Sequence, residues 1–166
     1  MAIELVVEEN TYVTLEEADA YFSKYGNAEW TGTDDARAQA LVSATQAIDA
    51  LYGSKFMGIM YSESQPLLFP RQSFNDKDGR YVSGIPAALK NATCEIALMA
   101  VTGADIFPEA SNSNNVRSEQ VQVGALSISN EYFKAPQGVS FDGFRKIDLL
   151  LRPLLKSATR AWSITG

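Results

Sequence analysis

Three stretches with helical periodicity, each followed or closed by a glycine, most restrict the fold of this chain. They occupy residues 14–26, 33–53 and 86–103. In each, apolar residues recur at spacings of three and four, which places them on one face of a helix. Glycine readily adopts the left-handed conformation that ends many helices. The sequence therefore predicts a small helical bundle, and the expected fold class is mainly α.

The starts of these helices are marked by capping residues. Thr14 and Glu17 form a capping box, in which each side chain accepts a hydrogen bond from the other residue's backbone N–H. Thr33 or Asp34 caps the second helix, and Pro86 suits the first position of the third. The residues predicted to face the core are Leu15, Ala18, Tyr21, Phe22 and Tyr25, then Ala40, Ala44, Ala47, Ile48 and Leu51, then Leu89, Ala92, Ile96 and Met99.

The second half of the chain predicts a hairpin and a last helix. Two runs of alternating residues flank Gly124 and Ala125, which is typical of a β-hairpin with a type II′ turn. In the leucine-rich segment that follows, Pro153 either kinks the helix or starts a second segment. The expected division is one domain, 1–166, with a helical core (14–103), a protruding β-hairpin (116–133) and a C-terminal helix and tail (141–166).

The sequence "NDKDG" at 75–79 has the appearance of a calcium-binding loop. An EF-hand with Gly79 at its sixth position would need an oxygen ligand at Phe74 and a glutamate at Ile85, and neither residue supplies one. Asp-Gly is instead typical of a tight turn. We therefore expect a turn without a metal, within a 55–84 segment held to the core by its apolar residues Leu67, Leu68 and Phe69. The residues assigned to the turn are Pro70, Arg71, Asp76, Asp78 and Gly79.

Composition argues against most catalytic chemistry. The chain has no histidine and one cysteine, which excludes Ser-His-Asp and Cys-His sites and an internal disulfide framework. Cys94 is expected to be a small buried apolar residue. Glycine-rich phosphate-binding motifs are absent from the sequence, as are a signal peptide and a segment long enough to cross a bilayer. We expect a soluble non-enzyme without cofactors, made inside the cell and not bound to membranes.

The charges are unevenly placed along the chain. Residues 1–35 hold nine acids and one base, whereas residues 145–166 hold five bases and one acid. One interpretation is an ordinary solvated surface. The other is a pair of complementary ends that meet between neighbouring subunits, or a basic tail that docks on an acidic partner.

The same charges bear on whether the chain binds single-stranded nucleic acid. It requires a basic groove with interleaved aromatic side chains. Seven tyrosines, eight phenylalanines and two tryptophans supply the aromatics. The net charge of −6 disfavours a surface that follows phosphates, although the basic C-terminal segment is a local exception.

Four landmarks, taken in order, carry a family resemblance. They are "TYVTLEEADAYF" (11–22), "ATQAIDALYGSKFMG" (44–58), "LLFPRQSFNDKDGRYVSGIPAALKNATCEIAL" (67–98) and "VRSEQVQVGALSISNEY" (116–132) before a leucine-rich helix. Together they resemble a tailed-bacteriophage family often labelled DnaT-like single-stranded DNA-binding protein, whose members look like head–tail connector (adaptor, or head-completion) proteins. Phe69 stands where the resemblance leads us to expect a tryptophan.

The resemblance implies a structural protein of the virion neck. It implies a homo-oligomeric ring, about twelve-fold, that docks under the portal protein and presents a surface to the tail, a stopper or a tail-completion protein. DNA would pass through the channel without specific binding, since an acidic wall repels phosphate. The implied portal contacts are Leu154, Leu155, Arg160, Trp162 and Ile164, and the implied subunit contacts are Val121, Val123, Leu126, Ile128, Arg145 and Lys146.

Two alternatives stay open at this point. Leu154 and Leu155 suit core packing as well as a portal contact, because they continue a helical period. The protein as a whole could instead be a single-stranded DNA-binding replication accessory. That function gains if the bases Arg145, Lys146, Arg152, Lys156 and Arg160 form one exposed face, and the connector gains if they meet acids of a neighbouring subunit.

Overall fold

Four α-helices dominate the structure, a computed structural model that describes residues 3–107, 120–123, 126–129 and 144–157. The helices are α1 (Leu15–Tyr25), α2 (Asp34–Tyr52), α3 (Ala87–Val101) and α4 (Arg145–Leu151). Two antiparallel pairs of strands accompany them, β1 (Phe74–Asn75) with β2 (Tyr81–Val82), and β3 (Gln120–Val123) with β4 (Leu126–Ser129). The mainly α fold class is confirmed. None of the described helices has the length and apolar character to span a membrane.

The helix starts follow the capping signals closely. The Thr14 hydroxyl accepts from the Glu17 N–H at 3.1 Å, and the Glu17 carboxylate accepts from the Thr14 N–H at 3.0 Å. Thr33, rather than Asp34, caps α2 with its side chain. Pro86 corrects the prediction by one position: it precedes α3 with an extended backbone, φ −70° and ψ 148°, instead of forming the first residue of the helix.

The centre of the core is the contact between α2 and α3. Ala44 and Ala47 on α2 and Ala92 on α3 have no exposed surface, and such small side chains let two helices approach closely. The first helix packs on both, and α4 packs on α3. Each fully buried aliphatic side chain contributes roughly 1.5–3 kcal/mol through its removal from water. The largest buried aliphatic residues of the helices are Leu41, Ile48, Leu89, Ile96, Ile147 and Leu151.

Five residues assigned to the core stripes lie at its edge. Tyr25 is 63% exposed, and four others are only partly buried: Leu15, Tyr21, Leu51 and Met99. Helical spacing identifies the inward face of a helix, but it does not say how far along that face the neighbouring helices reach. Tyr25 is the last residue of α1, where no described element covers the ring fully.

An aromatic cluster holds the segment after α2 against the helices. Phe69 meets Tyr12 and Phe56 edge to face, with ring centroids 6.2 and 5.0 Å apart, and all three rings are buried. The Tyr12 hydroxyl donates to the Asp49 carboxylate, which also accepts from the Leu68 N–H at 3.1 Å. Burial of the carboxyl group raises the pKa of Asp49. The expected anchoring role of Leu67 and Phe69 is confirmed, whereas Leu68 is only partly buried.

The Asp-Gly segment is a turn between β1 and β2, as its composition indicates. Gly79 has φ +78°, in the left-handed region that favours glycine. One Asp76 carboxylate oxygen accepts from the backbone N–H groups of Asp78 and Arg80, and the other accepts from the Arg80 guanidinium. These hydrogen bonds hold the turn in place. Pro70 follows a cis peptide bond, and Arg71 is buried, with its guanidinium donating to the Gly58 carbonyl.

The chain after α4 continues as a short 3-10 turn, Arg152–Leu154, so Pro153 ends the α-helix rather than kinking it. Leu154 is 1% exposed, and Leu155 is partly buried against the same core. Of the two interpretations of these leucines, the structure therefore supports core packing, and Leu154 has no surface to offer to a portal protein. Its carbonyl accepts from the Met57 N–H at 2.9 Å.

The second pair of strands confirms the predicted hairpin register. Cα partners are Val121 with Ile128 and Val123 with Leu126, so two residues connect the strands. Those two residues, 124 and 125, lie outside the described part of the chain, and the type II′ turn stays a prediction. The same holds for Arg160, Trp162 and Ile164 of the C-terminal tail.

We expect Cys94 to be unreactive in the native protein. Its side chain is 2% exposed in α3, and burial, followed by the nearby Glu95 charge, raises the pKa of its thiol to about 12. Since the thiolate is the reactive form, a thiol reagent such as 5,5′-dithiobis(2-nitrobenzoate) at mildly alkaline pH should label the folded protein only through unfolding. Full labelling is expected in denaturant, and rapid labelling of the native chain would contradict the burial.

Candidate nucleic-acid interface

The exposed side of α4 is basic. Its inward residues Ile147 and Leu151 are buried in the core, which leaves the opposite side in solvent. Arg145 and Arg152 are both exposed and lie seven residues apart, two helical turns along that side. Leu149 lies between them and is 59% exposed. The helix and the turn that follows it thus present two guanidinium groups around an apolar residue.

Backbone hydrogen bonds bring two lysines from other segments to the chain that follows α4, which itself carries Lys156. The Lys156 N–H donates to the Lys55 carbonyl at 2.7 Å, and the Lys77 N–H donates to the Pro153 carbonyl at 3.1 Å. An isolated bridge between Phe56 and Leu155 extends the first of these pairings. We call the resulting set the basic surface, which comprises Lys55, Lys77, Arg145, Arg152 and Lys156. All five side chains belong to exposed residues.

The basic surface is not neutralised by ion pairs within the described part of the chain. The cations in the ion pairs between described residues are Arg37, Arg80, Lys90 and Lys146, none of which belongs to it. The turn acids Asp76 and Asp78 are held by Arg80 instead. The charge of the basic surface is therefore available to a phosphate backbone.

Asp148 lies between Arg145 and Arg152 in the sequence, and Tyr52 is its hydrogen-bond partner. The Tyr52 hydroxyl donates to the Asp148 carboxylate, and the Lys55 ammonium lies 5.4 Å from the centre of the Tyr52 ring. Burial, followed by the hydrogen bond to Asp148, raises the pKa of Tyr52, so its hydroxyl stays protonated and remains a donor. The Lys156 ammonium donates to the Ser54 carbonyl at 3.2 Å. These contacts orient the two lysines without cancelling their charge.

Exposed aromatic rings belong to the same segments as these bases. Tyr81 is 72% exposed in β2, next to the turn that carries Lys77. Tyr61 is 70% exposed and follows Ile59, which is 68% exposed, along the segment that begins at Lys55. A solvent-exposed tyrosine has a free face on which an unpaired base can stack.

The structure separates the residues that were expected to act together. Lys146 pairs with Glu95 of its own chain at 2.6 Å, so it meets an acid within the domain. Arg145 is exposed, and it joins Arg152 and Lys156 in the basic surface. The hairpin residues Val121, Val123, Leu126 and Ile128 are described only by their backbone register. The prediction that they make subunit contacts stays untested.

Four of these exposed residues were not predicted as site residues from the sequence: Lys55, Lys77, Tyr61 and Tyr81. Each lies in the irregular segment after α2, which was predicted to have a packing role. For Lys77 a local signal existed, because the third residue of "NDKDG" lies at the tip of a tight turn and must be solvated. For the other three, only the contacts between distant segments reveal their place.

Comparison with known proteins yields one match. A family model described as "Putative DnaT-like ssDNA binding protein" matches residues 3–165, almost the entire chain. No curated protein and no solved structure matches the chain.

This match corrects the function expected from the sequence. The resemblance implied a ring-forming connector of the virion neck, with single-stranded DNA binding as the alternative. The description of the matching family supports the alternative and contradicts the connector. The charge argument that favoured the connector used the net charge of the whole chain, whereas binding depends on the local surface. The chain belongs to the family described as DnaT-like ssDNA-binding proteins.

Proposed function

We propose that this protein binds single-stranded DNA through the basic surface, without strong sequence preference and without catalysis. The observation that carries the proposal is that five exposed basic residues from three separate segments lie along α4 and the chain that follows it. Basic side chains that track phosphates supply most of the affinity in non-specific binding. The family description supports the same function.

The exposed aromatic residues favour single strands over duplex. Stacking on a tyrosine requires a base with a free face, which a paired and stacked duplex does not offer. Tyr61 and Tyr81 provide such rings on the segments that carry Lys55 and Lys77. A duplex could reach the arginines and lysines of the basic surface but would gain little from these rings. The proposal therefore includes a preference for single strands.

The acidic net charge is compatible with this function. Nine of the twenty acidic residues fall within residues 1–35, and four of them, Glu16, Glu17, Asp34 and Asp35, lie in the first turns of α1 and α2. There they stabilise the helices by interacting with their dipoles. Acids concentrated elsewhere would repel DNA from the rest of the molecule and so restrict contact to the basic surface.

The first test is a titration of the purified protein into a fluorescein-labelled oligothymidylate of about 20 nucleotides, followed by anisotropy. With five phosphate contacts, a slope of about −0.7 per contact gives a log–log salt slope near −3.5. We therefore expect affinity to fall about 100-fold between roughly 50 and 200 mM salt.

An unlabelled duplex of the same length serves as competitor in that titration. It should displace the labelled single strand at least several-fold less effectively than the unlabelled single strand does. Absence of binding at low salt would refute the proposal. Equal competition by the duplex would refute the preference for single strands.

A further inference from the structure

A cleft of about 370 Å³ opens between α1, α3 and the first turns of α4. Each helix contributes two residues four positions apart, which places both on the same side of that helix. The volume lies at the lower end of small-molecule sites, roughly 300–1,000 Å³. The residues that form these three walls are Tyr21 and Tyr25, Asn91 and Glu95, and Lys146 and Leu150.

A nearly buried carboxylate lines this cleft. The Glu95 side chain is 11% exposed; its Oε1 accepts a hydrogen bond from the Tyr21 hydroxyl at 2.7 Å and forms an ion pair with the Lys146 ammonium at 2.6 Å. Neither contact uses Oε2, to which no described residue donates. Glu95 thus keeps one acceptor oxygen for a donor that enters the cleft.

Aromatic rings form the wall beside this carboxylate. The Tyr21 and Tyr25 ring centroids are 4.9 Å apart, and the Tyr25 ring is 63% exposed at the end of α1. Burial, followed by the bond to Glu95, raises the pKa of Tyr21, so its hydroxyl remains a fixed donor. A flat ligand could stack on Tyr25 while its polar edge meets Glu95 and the amide of Asn91.

The cleft adjoins the basic surface along α4. Lys146, on the rim, follows directly after Arg145 of that surface in the chain. A strand whose phosphates follow Arg145 and Arg152 would run along the side of α4 next to the side that lines the cleft. The Lys146 side chain is 64% exposed and can serve either the cleft or a phosphate next to it.

We propose that the cleft holds one unstacked base of the bound strand and selects a base with an exocyclic amino group, such as cytosine, over thymine. This inference rests on the proposed function. The N4 amino group of cytosine is a donor suited to a carboxylate, whereas thymine presents the O4 acceptor at the same place. A carboxylate oxygen in the cleft favours a ligand that donates to it over one that presents an acceptor at the same place, because two acceptors make no hydrogen bond.

Free nucleosides test the cleft separately from the basic surface, because they carry no phosphate. Deoxycytidine and thymidine are titrated into the full-length protein, and the tyrosine ring signals are followed by NMR. We expect deoxycytidine to shift them and to bind about tenfold more tightly than thymidine. Tyr25→Ala, a change at an exposed position, should weaken deoxycytidine binding about tenfold through lost stacking. Glu95→Gln should remove most of the discrimination.

Oligonucleotides then separate the two proposals. Wild-type protein should bind oligodeoxycytidylate more tightly than oligothymidylate, and Tyr25→Ala should reduce that difference. If both oligonucleotides bind equally and neither nucleoside shifts the tyrosine signals, the cleft inference is wrong and the proposed function stands. If neither oligonucleotide binds, the proposed function fails, and the inference that rests on it fails as well.

Discussion

At roughly 100 mM salt, the variant Arg152→Gln/Lys156→Gln is expected to bind single-stranded DNA about 20-fold more weakly than the wild-type protein. Both side chains are exposed, and neither belongs to an ion pair between described residues. Each lost phosphate contact should lower the affinity about fivefold at this salt and make the log–log salt slope less negative by about 0.7. Anisotropy titrations at several salt concentrations measure both quantities.

Lys90→Gln provides the matched control for Lys156→Gln, since each removes one positive charge. Lys90 pairs with Glu17 between α3 and α1, away from the segments that form the basic surface. Its ion pair is partly exposed and contributes little stability. We expect Lys90→Gln to change affinity by less than about twofold and Lys156→Gln by about fivefold. Equal effects of the two substitutions would mean that only net charge matters and that the basic surface is not the binding site.

Phe69→Ala is expected to destabilise the protein by about 3–5 kcal/mol. Its ring is 1% exposed and lies between Tyr12 and Phe56, so truncation removes two edge-to-face contacts and leaves a cavity. Because typical domains are stable by only about 5–15 kcal/mol, this loss is a large fraction of the total. Urea unfolding followed by circular dichroism, with the midpoint and slope fitted together, measures the change.

Tyr61→Ala is the comparison for this stability measurement. It also removes an aromatic ring, but from a residue that is 70% exposed. We expect a change within about 0.5 kcal/mol, as is usual at surface positions. A loss of comparable size in both variants would show that Tyr61 packs against another part of the chain. A small effect of Phe69→Ala would show that the aromatic cluster does not anchor the segment after α2.

Local signals explain why the helices could be predicted closely. The capping box at Thr14 and Glu17 and the glycine after Tyr25 act within a few residues of the helix ends that they specify. The Asp-Gly turn is equally local, because Asp76 bonds to the backbone only two and four residues ahead. Such interactions are encoded in short stretches and need no knowledge of the rest of the fold.

The basic surface was harder to predict because its charges are distant in sequence. Lys55 and Lys156 are about a hundred residues apart, yet one backbone hydrogen bond joins them. Net charge gave a misleading indication, since it sums acids near the first helices with bases near the last. A nucleic acid responds to the local potential of a surface, which depends on where the chain folds back on itself.

By itself, the sequence determined the helices, the turn at Asp76–Gly79, the hairpin register and the absence of histidine chemistry. Periodicity and capping residues act over a few positions, and composition is a property of the sequence itself, so all three can be recognised without the structure. Only the tertiary structure decided that Leu154 lies in the core, that Lys55 and Lys77 are bonded to the chain after α4, and that Glu95 lines a cleft. Those outcomes depend on which segments pack against each other, and long-range packing is the one property that no short stretch of sequence contains.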